Sequence, residues 1–127
     1  MALIADFNEE EQLLTDIVGL FLDNYQGTNH IGIQLDVAEG VTATCWYELN
    51  ADSAVSLSHI KDFYQVSKLA LRFWELSGRS FATLFLAVDP VSQKFVAKME
   101  KDNEQFRVFL FDRGLARKKL QTLADRL

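Results

Sequence analysis

Between His30 and Leu49 the apolar residues fall on every second position, whereas on either side of that stretch they recur every three or four. Ile31, Ile33, Leu35 and Val37, then Val41, Ala43, Cys45, Tyr47 and Leu49, alternate with Gln34, Asp36, Thr42, Thr44 and Glu48. A period of two is that of a pleated strand with one covered face. The interruption at Ala38-Glu39-Gly40 predicts a β-hairpin. A hairpin flanked by helical periods needs helices to cover it, which confines the chain to mixed architectures.

Before the hairpin, Asn8-Glu9-Glu10-Glu11 has the form of a capping box, so a first helix is expected to start there. Leu13, Leu14, Ile17, Val18, Phe21 and Tyr25 form its apolar stripe and Gly27 ends it. After the hairpin, Ala54 to Leu57 reads as a short third strand. Ser58 is the expected N-cap of the strongest helix, whose face is Ile60, Phe63, Tyr64, Ser67, Ala70, Leu71 and Trp74, with Gly78 as a left-handed C-cap. The nearly unbroken apolar run Phe81 to Val88 predicts a central strand. Asp89 to Gln93 makes a turn into a half-buried strand from Lys94 to Glu100. Gln105 to Phe111 suggests another strand, and Leu115, Leu120, Leu123 and Leu127 a closing helix after Gly114. Short turns between consecutive strands imply antiparallel pairing. The expected fold is α+β, an antiparallel sheet of four to six strands with helices packed on one face. At 127 residues it should form a single domain over residues 1–127.

Charge is distributed unevenly. Residues 1–60 hold Asp6, Glu9, Glu10, Glu11, Asp16, Asp23, Asp36, Glu39, Glu48 and Asp52 and no lysine or arginine, whereas residues 61–127 hold all 13 basic residues against 8 acids. Simple proportion would put about six basic residues in the first part. Either the two parts neutralise one another inside the fold, or the acids form a negative field that steers a basic partner. The net charge of -5 argues against direct nucleic-acid binding, which needs clustered cations. No run approaches the roughly 18 apolar residues of a membrane span, and Met1 to Glu11 is acidic where a secretory signal is basic and then apolar. A cytoplasmic protein with no membrane contact is expected. Cys45 is the one cysteine, which rules out an internal disulfide, and it reads as an inert core thiol.

Catalytic patterns do not appear: there is no glycine-rich phosphate loop, HExxH, GxSxG or zinc-ligand spacing. His30 and His59 lie at element ends, and a carboxylate pair such as Asp36 and Glu48, which would share a hairpin face, is more simply read as solvated charge. No enzymatic activity, metal or cofactor is expected. Capping explains Glu9, Glu10 and Glu11, so the informative acids are Asp36, Glu39, Glu48 and Asp52. Trp46 stands among them on the polar side of the hairpin. There it is either the anchor of a binding surface or a residue packed under a neighbouring helix or loop.

An acidic first helix, a hairpin carrying Trp46-Tyr47, a long helix ending Phe73-Trp74-Glu75, and Phe81-Ala82-Thr83-Leu84-Phe85-Leu86-Ala87-Val88-Asp89 followed by Lys94-Phe95 resemble, over residues 10–100, the YezG-like immunity proteins of bacterial polymorphic-toxin and contact-dependent inhibition systems. The resemblance implies a cytosolic, non-catalytic protein that binds a cognate toxin domain, often a nuclease, and blocks its active site or substrate channel. On that reading Asp36, Glu39, Trp46, Glu48 and Asp52 meet a basic protein surface, by a monomer or a homodimer. The alternative from another class is an acidic secretion chaperone, similar to those of type III systems, binding a disordered effector segment.

Overall fold

The alternating residues pair as the hairpin requires. In the computed structural model, which describes residues 2–38, 41–49, 54–57, 60–100 and 113–127, strand β1 (Ile31–Ala38) runs antiparallel to β2 (Val41–Leu49), with Ala38 opposite Val41 and Ile33 opposite Trp46. The third strand, β3 (Ala54–Ser56), adds to the outer edge of β2. The predicted central strand β4 (Thr83–Val88) pairs with the other side of β1, and β5 (Phe95–Glu100) with β4. The order is β3-β2-β1-β4-β5, antiparallel throughout. The suggested strand over residues 105–111 lies outside the described residues.

Helix α1 spans Ala2–Leu22, so Asn8 is inside the helix and the expected capping box is not its start. Leu3, Ile4 and Phe7 continue the three- and four-residue spacing upstream with no glycine or proline to stop it. Helix α2 spans Phe63–Leu76, and its N-cap is Asp62, which makes no side-chain capping bond, rather than Ser58. The delay has a packing cause: Ile60 is buried in the core, and the Lys61 amide donates to the Asn24 side chain at 3.2 Å, before the helix begins. Val66, Ala70 and Phe73 form its buried line, whereas Tyr64, expected on that line, is 75% exposed and lies beneath the Lys68 ammonium.

The other end of α2 stops as predicted. Gly78 adopts φ +77°, its amide donates to the Glu75 carbonyl at 3.0 Å, and the Arg79 amide donates to the Trp74 carbonyl at 2.9 Å. These are the two bonds of a Schellman cap. The Trp74 indole then donates to the Phe81 carbonyl at 2.9 Å, tying the helix to the segment that enters β4.

Helices α1 and α2 share one face of the sheet, whereas the closing helix, expected on the same face, takes the other, where Gly32 leaves room for it. Their Leu13, Ile17, Val18, Phe21, Val66, Ala70 and Phe73 pack on Ile31, Ile33, Leu35, Val37, Trp46, Leu84, Leu86 and Val88. The closing helix α3 (Arg113–Ala124) covers the opposite face, where Leu120, Leu123 and Ala124 pack on Tyr47, Leu49, Phe85 and Ala87. Close seating is possible because Gly32 has no side chain: a Cβ there would stand 3.0 Å from Leu120 Cβ and Cδ1. With both faces covered, all six residues of β4 are buried, which accounts for a run without polar alternation in an antiparallel sheet.

Candidate functional site

The residues expected to form a hairpin surface do not gather into one. Trp46 is 6% exposed and belongs to the core, its ring edge-on to Phe21 at 5.2 Å and to Tyr25 at 6.5 Å. It sits opposite Ile33, on the face covered by α1 and α2. Packing, the second of the two readings of Trp46, is the one the fold realises. Asp36 is also a correction: it is 2% exposed, on the α3 side of the sheet. Glu48, one residue from Tyr47 and opposite Ile31, points to the other side. Asp36 and Glu48 therefore do not share a face. Glu39 and Asp52 lie outside the described residues.

Each of these two carboxylates has a partner. Gln34 Nε2 donates to both oxygens of Asp36, at 3.0 and 3.1 Å, and Thr83 Oγ1 donates at 3.2 Å. Burial raises the Asp36 carboxyl above its ordinary 3.8, and those two donors oppose the shift only in part. Glu48 accepts a 2.5 Å bond from the Tyr25 hydroxyl. Burial, that bond and the nearby carboxylate charge push Tyr25 up to about 12.

The raised carboxyl of Asp36 gives a pH dependence with a definite sign. The folded protein holds this proton to a higher pH than the unfolded chain, so the contribution to stability declines as pH rises from 3.8 through the raised value. Asp36→Asn removes the titration, and Gln34 can turn its amide to accept from the new NH2 group. The expected result is a variant whose stability relative to the parent improves between about pH 4 and pH 7. Chemical denaturation at several pH values measures it, and a stability difference that is flat or falls with pH would contradict the assignment.

Outside the hairpin, two charged surfaces stand out. On α1 Glu9, Glu11 and Asp16 are exposed, as is Asp23 in the turn that follows it. Seven residues are nearly two full helical turns, so Glu9, Asp16 and Asp23 follow one line. Glu9 pairs with Arg72 of α2 at 2.9 Å, and Asp16 accepts from Gln12 at 2.8 Å. Among the described residues no cation lies within ion-pair distance of Glu11, Asp16 or Asp23.

The second surface lies between α3 and the sheet. Phe85, Lys98, Lys118, Lys119, Thr122, Leu123 and Arg126 enclose a cavity of about 400 Å³. Lys119 bonds to Glu100, which Lys98 also approaches at 3.4 Å. Burial works to raise the Glu100 carboxyl, but the bond and charge of Lys119, with Lys98 behind them, hold it below the usual range. Among the described residues no imidazole, thiol or carboxylate lines the cavity, and the charged groups that do are cations. The spacing of Lys118, Thr122 and Arg126, each four residues apart, is a single helical stripe that was visible in the sequence.

Among the described residues no group of three or more His, Cys, Asp and Glu side chains is placed to hold a metal ion, and no helix is long and apolar enough to cross a membrane. No protein-family model matches the chain, and no curated protein matches its sequence.

Proposed function

We propose that this chain is a non-catalytic cytoplasmic protein that binds a cognate toxin domain and neutralises it, as its resemblance to YezG-like immunity proteins implies. The observation that carries the reading is the open line of carboxylates on α1. Residues 9 to 23 extend over roughly 20 Å at 1.5 Å per residue, a length suited to a groove rather than to one ion. A nuclease presents such a groove, lined with cations for its substrate's phosphates. Carboxylates on a rigid helix occupy the same field and raise the association rate. The acids that serve this role are Asp16 and Asp23, the unpaired members of that line among the described residues, rather than Asp36, which is buried, or Glu48, which is held by Tyr25.

Helical, exposed positions tolerate charge changes with little effect on stability. The double substitution Asp16→Lys and Asp23→Lys is expected to slow association with the C-terminal domain encoded by the neighbouring toxin reading frame at least about tenfold at low salt. Inhibition of that domain should weaken in parallel while the melting temperature stays near the parent's. Association that ignores both salt and the double substitution would overturn the electrostatic reading. A neighbouring frame encoding a secreted effector that the chain holds unfolded would replace it with the chaperone.

A further inference from the structure

The cavity under α3 has no part in that reading, which uses the opposite side of the sheet. Its composition is unusual for a chain of net charge -5. Lys98, Lys118, Lys119 and Arg126 line it, and among the described residues Glu100 bonds to Lys119 and approaches Lys98. Among the described residues Lys118 and Arg126 have no carboxylate partner at all. They lie at the two ends of the Lys118, Thr122, Arg126 stripe, so their charges face the same opening.

Like charges gathered around one cavity repel one another. The apolar interior of the second core would be closed equally well by uncharged residues at 118 and 126. Beneath the cations, Phe85 and Leu123 close the floor with apolar surface, and the volume lies within the roughly 300–1,000 Å³ of small-molecule sites.

We propose that this cavity binds a small organic phosphate, with the phosphate held among Lys98, Lys118 and Arg126 and an apolar ring or chain against Phe85 and Leu123. Charge selects the phosphate over a carboxylate. A phosphate monoester carries close to two negative charges at neutral pH, which match the two cations Lys118 and Arg126, whereas a carboxylate carries one. The guanidinium of Arg126 supplies a planar pair of donors for two phosphate oxygens, and lysines act as point charges around it. The Thr122 hydroxyl, which donates to the Lys118 carbonyl at 3.0 Å, is held in place at the wall.

The test is titration of the full chain with phenyl phosphate, inorganic phosphate and benzoate, followed by amide and methyl NMR shifts and by calorimetry. Phenyl phosphate is expected to bind saturably and to shift Phe85, Lys98, Thr122 and Leu123, at least about tenfold more tightly than either inorganic phosphate, which lacks the ring, or benzoate, which lacks the second charge. Lys118→Glu with Arg126→Glu should abolish the shifts and leave the melting temperature within a few degrees, because both side chains are exposed. Three results would overturn the proposal. One is the absence of saturable shifts at about 10 mM phenyl phosphate. Another is equal affinity for phenyl phosphate and inorganic phosphate, which marks unspecific charge attraction. The third is an oligothymidylate that binds through the same residues more tightly than phenyl phosphate, which would make the surface one for single-stranded nucleic acid. All three are independent of the toxin: the double substitution should leave toxin binding unchanged.

Discussion

Trp46→Ala is expected to destabilise the fold by about 3–5 kcal/mol, the range for truncating a buried aromatic ring. The indole is in contact with Phe21 and Tyr25 at the junction of α1 and β2. Removing it leaves a void that β1 and β2 cannot close, because their register is set on one side by the hairpin and on the other by β4. Against a total stability of roughly 5–15 kcal/mol for a domain, that loss is a large fraction. Urea denaturation should show a lower midpoint at an unchanged slope. A change below about 0.5 kcal/mol would place the ring at the surface and restore Trp46 as a hairpin anchor. The consequence for function is practical. A failure of Trp46→Ala to bind a partner would report unfolding, whereas the same failure in the α1 charge variants would report the interface.

The position of Trp46 was nonetheless available in the sequence. Once Ala38 pairs with Val41, every pair that follows has numbers summing to 79. Ile33 must then oppose Trp46, and Gly32 must oppose Tyr47. Alternation alone misleads because it assumes one wet face. In β1 the face bearing Gly32, Gln34 and Asp36 looks solvated, yet it is buried: glycine makes room for α3, and the two polar side chains satisfy each other and Thr83. The signal that both faces were covered was the nearly unbroken apolar run of β4. The hairpin, the Gly78 stop and the α+β class were legible for local reasons, since turn chemistry and periodicity act within a few residues, whereas the place of β4 beside β1 was not. The start of α1 was misread because a capping pattern was weighed without the equally helical residues before it. The cavity was not legible, because Lys98 and Phe85 come to α3 only through strand pairing.

Whether α3 belongs to the core or merely rests on it can be settled at Gly32. Leu120 is fully buried, and Leu120→Ala is expected to cost about 2–5 kcal/mol as a cavity substitution. Gly32→Ala acts in the opposite sense, inserting a methyl 3.0 Å from Leu120 Cβ and Cδ1 and 3.2 Å from Cγ, where the neighbours are backbone-anchored and cannot swing away. Overpacking of this kind costs about 1–3 kcal/mol. The two should not add. Truncating Leu120 removes two of the three atoms the new methyl meets, so the double variant is expected to be more stable than the sum of the singles by about 0.5–3 kcal/mol. Hydrogen exchange distinguishes where the energy is lost: α3 amides should open first in either single variant, while β1 and β4 keep their protection from the α1 and α2 side. Additive costs, or uniform loss of protection, would mean that α3 does not dock through Gly32. Coupled costs confined to α3 would make the second face an energetically separate layer. That layer carries the cationic cavity, so phenyl phosphate, if bound there, should raise the stability of both single variants more than that of the double, in which the floor beside Phe85 has loosened.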